Sequence, residues 1–203
     1  LSRKTKLVAS LSLHLRLQRI DLEKLNMNID NFLIEFILLF LSYVFLFSFL
    51  FRINKINFYN PIVKFVATKI EPISSKILPL GNPLVSSLLF ALLFMALKQV
   101  FEYSGDISLI YILVDSIANL VFATYRILFF AVIGSVILSW VDPNTQHPLA
   151  EIANGISDAV LSPIRRYLPA MGGLDFSPII GLLLLNLIVS FLITLIQSLK
   201  ALL

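Results

Sequence analysis

Apolar and polar positions divide the chain into four long apolar runs joined by mixed segments. The first run, Phe32 to Phe51, is 20 residues with one charge, Glu35, close to its start. At about 1.5 Å per residue it reaches roughly 30 Å, the thickness of a bilayer's hydrocarbon core. Arg52 ends it. A second, shorter run extends from Leu84 to about Val100, with Lys98 free to snorkel near its end. Residues 107–141 contain no proline and one glycine, Gly134. That stretch is too long for one untilted span and too short for two with a turn. It predicts an interfacial or protruding start over 107–116, then a span from about Ile117 to Trp140. The fourth run is Ile179 to about Ile196.

The segments between these runs carry helix-start signals. Asn60-Pro61 reads as a cap followed by proline at the first helical position, where the missing N–H costs nothing. Ile62, Val63, Phe65, Val66 and Ile70 then lie mostly on one side, with Lys64, Thr68 and Glu71 opposite. This predicts a short helix in the interface, interrupted by Pro72 and Pro79. Asn82-Pro83 repeats the cap ahead of the second span. In the other segment Leu149, Ile152, Ala153, Ile156 and Val160 share a face, and Glu151, Asn154 and Asp158 take the other. Ser162-Pro163 is expected to start a further turn, Gly172-Gly173 to allow a bend, and Ser177-Pro178 to cap the last span.

The two halves align. Asn60-Pro61-Ile62 matches His147-Pro148-Leu149, Pro72-Ile73-Ser74-Ser75 matches Pro163-Ile164-Arg165-Arg166, Pro79 matches Pro169, and Asn82-Pro83 matches Ser177-Pro178. The expected organisation is a first repeat over 27–106 and a second over 107–203. Two spans per repeat make the repeats parallel and put both linkers on one face of the membrane. Linker one carries Arg52, Lys55, Lys64, Lys69 and Lys76, and linker two carries Arg165 and Arg166. The positive-inside bias then predicts cytoplasmic linkers with both ends of the chain outside. Residues 1–26 disturb that balance, with Arg3, Lys4, Lys6, Arg16, Arg19 and Lys24 on the opposite face. They are therefore expected to be a disordered basic extension or to lie upstream of a start at Met27.

Composition sets the class. Of 203 residues, 58% are hydrophobic and 14% charged, and the mean hydropathy of +0.91 exceeds what a soluble domain of this size can bury. The absence of cysteine excludes disulfides, thiolate catalysis and iron–sulfur clusters. A net charge of +4 is the loop bias of a membrane protein, and nucleic acid is not an expected partner. The expected fold is an all-α membrane protein, four transmembrane helices from two parallel two-helix repeats with amphipathic interfacial linkers.

Several polar residues stand out. Asp115, Asn119 and Arg126 fall within about 40° of one helical face, extended by Ser108 and Tyr111. Arg126 lies inside a predicted span, where charge normally faces protein or water. These residues predict an intramembrane polar seam; the alternative is a longer interfacial segment with Arg126 snorkelling. Trp140 is placed at headgroup level. Arg165-Arg166 suits bidentate contact with anionic lipid headgroups or a partner's carboxylates, or serves as a topology anchor. Asp175 is expected to stabilise the positive end of the last helix, or to pair with Arg165 or Arg166 or hold a cation. His14 and His147 are the only histidines, and neither is placed for intramembrane haem, so no cofactor is expected. No P-loop, dinucleotide glycine pattern or spaced nucleophile and base is present, which argues against an enzyme.

Ser139-Trp140 and the run from Pro163 through Arg165-Arg166-Tyr167-Leu168-Pro169-Ala170-Met171-Gly172-Gly173-Leu174-Asp175 to Pro178 closely resemble the signature of the YggT family of bacterial integral membrane proteins. Phe58-Tyr59-Asn60-Pro61 looks like the first-repeat counterpart, and the resemblance covers about Met27 to Leu203. The first repeat departs from the pattern, with Ser74-Ser75 where the family tends to keep a second arginine pair, and its Gly-Gly-Asp turn shortened to Leu80-Gly81. The resemblance implies a bacterial inner-membrane protein associated with osmotic and potassium tolerance; relatives are linked with division-gene neighbourhoods and, in chloroplasts, cytochrome maturation. The expected function is non-enzymatic, in ion or osmotic homeostasis through the seam or by modulating a transporter. The alternatives are a scaffold or assembly factor and, third, a transporter in its own right. The lipid bilayer, anionic lipids, a second copy or a membrane-protein partner are the expected contacts.

Overall fold

A computed structural model of the chain describes residues 31–79, 81–103, 108–168 and 175–202. The expectations about residues 1–26, Pro169 and Gly172-Gly173 lie outside that set. The described residues form helices and no strand. The four predicted runs become α1 (Asn31–Ile53), α4 (Pro83–Glu102), α5 (Leu109–Val141) and α7 (Ser177–Lys200), each long and apolar enough to cross a membrane. Between α1 and α4 lie α2 (Pro61–Phe65), a π-helical turn (Val66–Ile70) and α3 (Glu71–Ile77). Between α5 and α7 lies α6 (Pro148–Tyr167). The chain is an all-α, multi-pass membrane protein.

Local chemistry sets the helix starts. Asn60 Oδ1 accepts the amides of Ile62 and Val63 at 3.1 and 3.4 Å, Asn82 Oδ1 accepts that of Leu84 at 3.0 Å, and His147 Nδ1 accepts that of Leu149 at 3.2 Å. The last helix differs from expectation. Ser177 is its first residue rather than its cap, and Asp175 accepts the Ser177 amide at 2.9 Å as well as its hydroxyl. A carboxylate two residues ahead serves the free amide better than the neutral hydroxyl next to Pro178.

Two prolines behave differently from their sequence reading. Pro72 does not stop the linker helix: a π-helical turn precedes Glu71, and this wider turn makes room for the ring that would strike the carbonyl one turn back. Pro163 starts no new turn, since α6 runs through it to Tyr167. The carbonyl it leaves without a donor is that of Ala159, which is exposed. Residues 109–141 form one unbroken helix, about 50 Å long, so the stretch before Ile117 is continuous with the span.

Lipid is as apolar as leucine, so these helices associate through packing and polar contacts. Phe45 of α1 lies 5.1 Å from Phe90 and 5.7 Å from Phe94 of α4, ring centre to ring centre. Ser42 donates to the Ala91 carbonyl at 2.8 Å in the same interface. Leu46, Leu50, Ala123, Ile127, Ile152 and Ile156 extend this core across α1, α5 and α6. By contrast α7 packs on α5 and α6 and leaves most of its surface outward. The linkers meet at one end. Lys55, at φ 52° in the left-handed region, turns the chain out of α1 and brings Ile56 against α6. A β-carbon on Gly155 would lie 3.2 Å from Ile56 Cγ1, so a larger residue there would have to push the Ile56 side chain aside.

Candidate functional site

Charged side chains gather with polar partners in three places, two at the linker end or its rim and one at the opposite end, while Tyr125 Oη donates to Asn186 Oδ1 at 2.7 Å between α5 and α7. Farthest from the linkers, Asp115 is buried on α5 and forms an ion pair with Lys200, the last residue of α7. Asn119 Nδ2 donates to the Asp115 carbonyl at 2.9 Å and to its carboxylate at 3.2 Å. Tyr103, just past α4, points its hydroxyl at the same carboxylate at 3.5 Å, and the Lys200 ammonium lies 4.9 Å from the Tyr111 ring centre. Burial first, then its contacts with Tyr111 and Asp115, pushes the Tyr103 phenol up to about 12, so it stays a donor. Three helices converge on one carboxylate whose charge is matched within the chain.

At the linker end Glu71, 4% exposed, receives Arg52 through both carboxylate oxygens and the Ser48 hydroxyl at 3.0 Å. Ser87 of α4 lies 3.2 Å from Ser48. Sequence pattern placed Glu71 on the solvent side of an interfacial helix; the structure buries it between α1 and α4. Nearby, Asn60 Nδ2 donates to the Pro148 carbonyl and to Glu151, both at 2.8 Å. A polar cleft of about 670 Å³, lined by Lys55, Asn57, Gln146, Asn154 and Asp158 among others, lies over this junction.

On the rim, Arg165 bridges Asp158 at 2.8 Å and Asp175 at 3.0 Å. Burial pushes the Asp175 carboxyl up, but the hydroxyl and amide of Ser177 and the Arg165 guanidinium outweigh it and hold the group below its usual range. Arg166 is exposed, and Trp140, 77% exposed, sits one residue before the end of α5.

Arg126 is separate from all of these. Eleven residues from Asp115, it lies about 16 Å along α5. Its guanidinium stands 4.4 Å from the Phe122 ring centre, in a groove of about 410 Å³ walled by α1, α5 and α6. The structure thus joins Asp115 to Asn119 and leaves Arg126 apart. Sequence reasoning missed Lys200, Tyr103 and the Arg52–Glu71 pair. The available signals were a lone base at the end of the last apolar run and a lone acid in a basic linker.

Residues 114–196 match the family described as CCB3/YggT. A protein of Pseudomonas aeruginosa with no characterised activity is 34% identical over 152 residues, 70% of this chain and 77% of its own length. Another relative, YggT of Escherichia coli K12, also uncharacterised, is 34% identical over 136 residues, 65% of this chain and 72% of its own. A Haemophilus influenzae protein is 27% identical over 151 residues, 71% of this chain and 81% of its own. No solved structure matches the chain.

Proposed function

This chain belongs to the YggT family, and on that premise we propose that it is a non-enzymatic inner-membrane protein that serves ion and osmotic (potassium) homeostasis by regulating a membrane partner, without conducting ions itself. The observation that carries this reading is the interruption of α5's polar face. Asp115 is neutralised by Lys200, and Arg126 stands in a separate groove about 16 Å away. A conducted cation needs polar ligands or water along its whole path through the hydrocarbon. A cation at Arg126 would instead be repelled.

In this reading the chain is two parallel repeats with cytoplasmic linkers, and the basic residues of both linkers set that orientation. Contact between Asn60 and Pro148, one from each of the aligned Asn60-Pro61 and His147-Pro148 motifs, is consistent with the repeat. Trp140, Arg165 and Arg166 contact lipid headgroups, and anionic lipids suit the two arginines. A second reading, a scaffold for membrane complexes or division, is favoured by the hydrogen-bonded junction and open cleft at the linker end.

The test is potassium flux in liposomes holding the purified chain, beside an Arg126→Ala variant. Expected is flux no greater than in protein-free liposomes. Flux that depends on Arg126 would make the seam a pathway and overturn the regulatory reading.

A further inference from the structure

We propose that the groove around Arg126 receives a membrane-spanning helix of a partner protein that carries a carboxylate near mid-bilayer. The inference rests on the regulatory reading above and names the chemistry of the partner.

Depth comes first. Arg126 is 11 residues from Asp115 and 15 from Val141, so it lies about 16 Å and 22 Å from the two ends of the polar-to-polar stretch of α5. Both distances exceed what an arginine side chain spans, so its guanidinium stays within the apolar stretch of α5, away from the polar groups at either end.

Exposure comes second. Arg126 is exposed at the surface of its helix, and it has no acidic partner among the described residues. The Phe122 ring covers one face of the guanidinium and satisfies none of its five donors in their plane. Acyl chains offer no acceptor. The group therefore calls for an anion at the same depth, and a carboxylate matches its paired donors in both shape and charge.

The surroundings fit a helix. Ala131 and Ala153 line the groove, and small side chains let another backbone approach closely. Phe130, 67% exposed, and Leu149, 59% exposed, stand at its edges. A phospholipid is the poorer occupant, because its anionic phosphate stays in the headgroup layer. A second copy in the same orientation also fits poorly. Of the acids in the described spans, Asp115 and Glu102 are paired with lysines, and Glu35 lies one turn from the start of α1, well away from Arg126 in depth.

The experiment uses the full chain in phosphatidylcholine vesicles with labelled synthetic Leu/Ala spanning peptides, read by energy transfer. One peptide carries a single central Glu, one a central Gln, and one has the Glu moved two turns toward its end. The central-Glu peptide is expected to associate about tenfold more tightly than either other peptide. Arg126→Gln should erase that preference and Arg126→Lys should retain part of it, with far-ultraviolet circular dichroism confirming the helices of both. Equal association of all three peptides would overturn the proposal, as would a preference that survives Arg126→Gln. Arg126-dependent displacement of the peptide by a few per cent of phosphatidylglycerol would also overturn it, by making anionic lipid the occupant. An absent preference with no potassium flux would leave the regulatory reading standing without this site; flux would remove that reading whatever the peptides do.

Discussion

Asn60 ties the two linkers together with one side chain. Its Oδ1 caps α2, while its Nδ2 donates to the Pro148 carbonyl and to Glu151, 88 and 91 positions away. A single amide supplies the acceptor that one helix start requires and donates to a carbonyl and a carboxylate in the first turn of the other linker's helix. Asn60 as a whole is 2% exposed, so water cannot replace these bonds.

Asn60→Ala should lose the cap and the cross-link and cost about 2 kcal/mol. Asn60→Asp keeps the acceptor but sets a carboxylate against Glu151, and should be at least as damaging. Thermal melts of the full chain in detergent check both. An Asp variant as stable as the wild type would show that the cap alone matters.

Charge matching at Asp115 and Lys200 predicts non-additivity. Asp115→Asn leaves Lys200 without its partner, and Lys200→Met leaves a carboxylate that is nearly buried, each costing roughly 3 kcal/mol. The double variant should recover most of that loss. Unfolding of the four proteins in mixed micelles closes the cycle, and additive losses would mean the pair is not coupled.

Arg52 and Glu71 are unequally exposed, 43% against 6% at the side chain. Removing the arginine strands a buried carboxylate, whereas neutralising the acid leaves a guanidinium that water can solvate. Arg52→Ala should therefore destabilise more than Glu71→Gln, by about 1 kcal/mol or more. Equal melts would mean that Ser48 suffices to hold the carboxylate.

Asp175 gives a pH dependence. Its folded carboxyl titrates below the ordinary value of 3.8, so its contribution is complete above that value and disappears as pH falls through the lower folded one. Docking of the start of α7 should weaken only in that acid range, and Asp175→Asn should remove the step. Cysteine accessibility at Phe176, in a Phe176→Cys variant of this cysteine-free chain, reads it directly. A loss centred near neutral pH would point to another group.

The spans, their approximate limits and three of the helix starts were legible from local pattern. An apolar run of bilayer length has one stable outcome in lipid, because every backbone group must be satisfied within the segment. A cap such as Asn60 or Asn82 acts on amides two or three residues away, so its signal is contained in the same few residues. Pro72 and Pro163 misled because neighbouring geometry absorbed them, through a wider turn in one case and an exposed carbonyl in the other.

Facing was not legible. A span that is apolar all round does not declare which side meets protein, and the spacing that groups Asp115, Asn119 and Arg126 says nothing about what covers each. Sequence by itself determined that this chain is built for lipid, which of its runs form the long apolar helices, and where the helix starts at Asn60 and Asn82 lie. Tertiary structure alone decided that Lys200 answers Asp115, that Glu71 is buried against Arg52, and that Arg126 is left to a groove of its own. These depend on how the helices rotate and pack, and the partners lie up to 85 positions apart, far beyond the reach of any local periodicity.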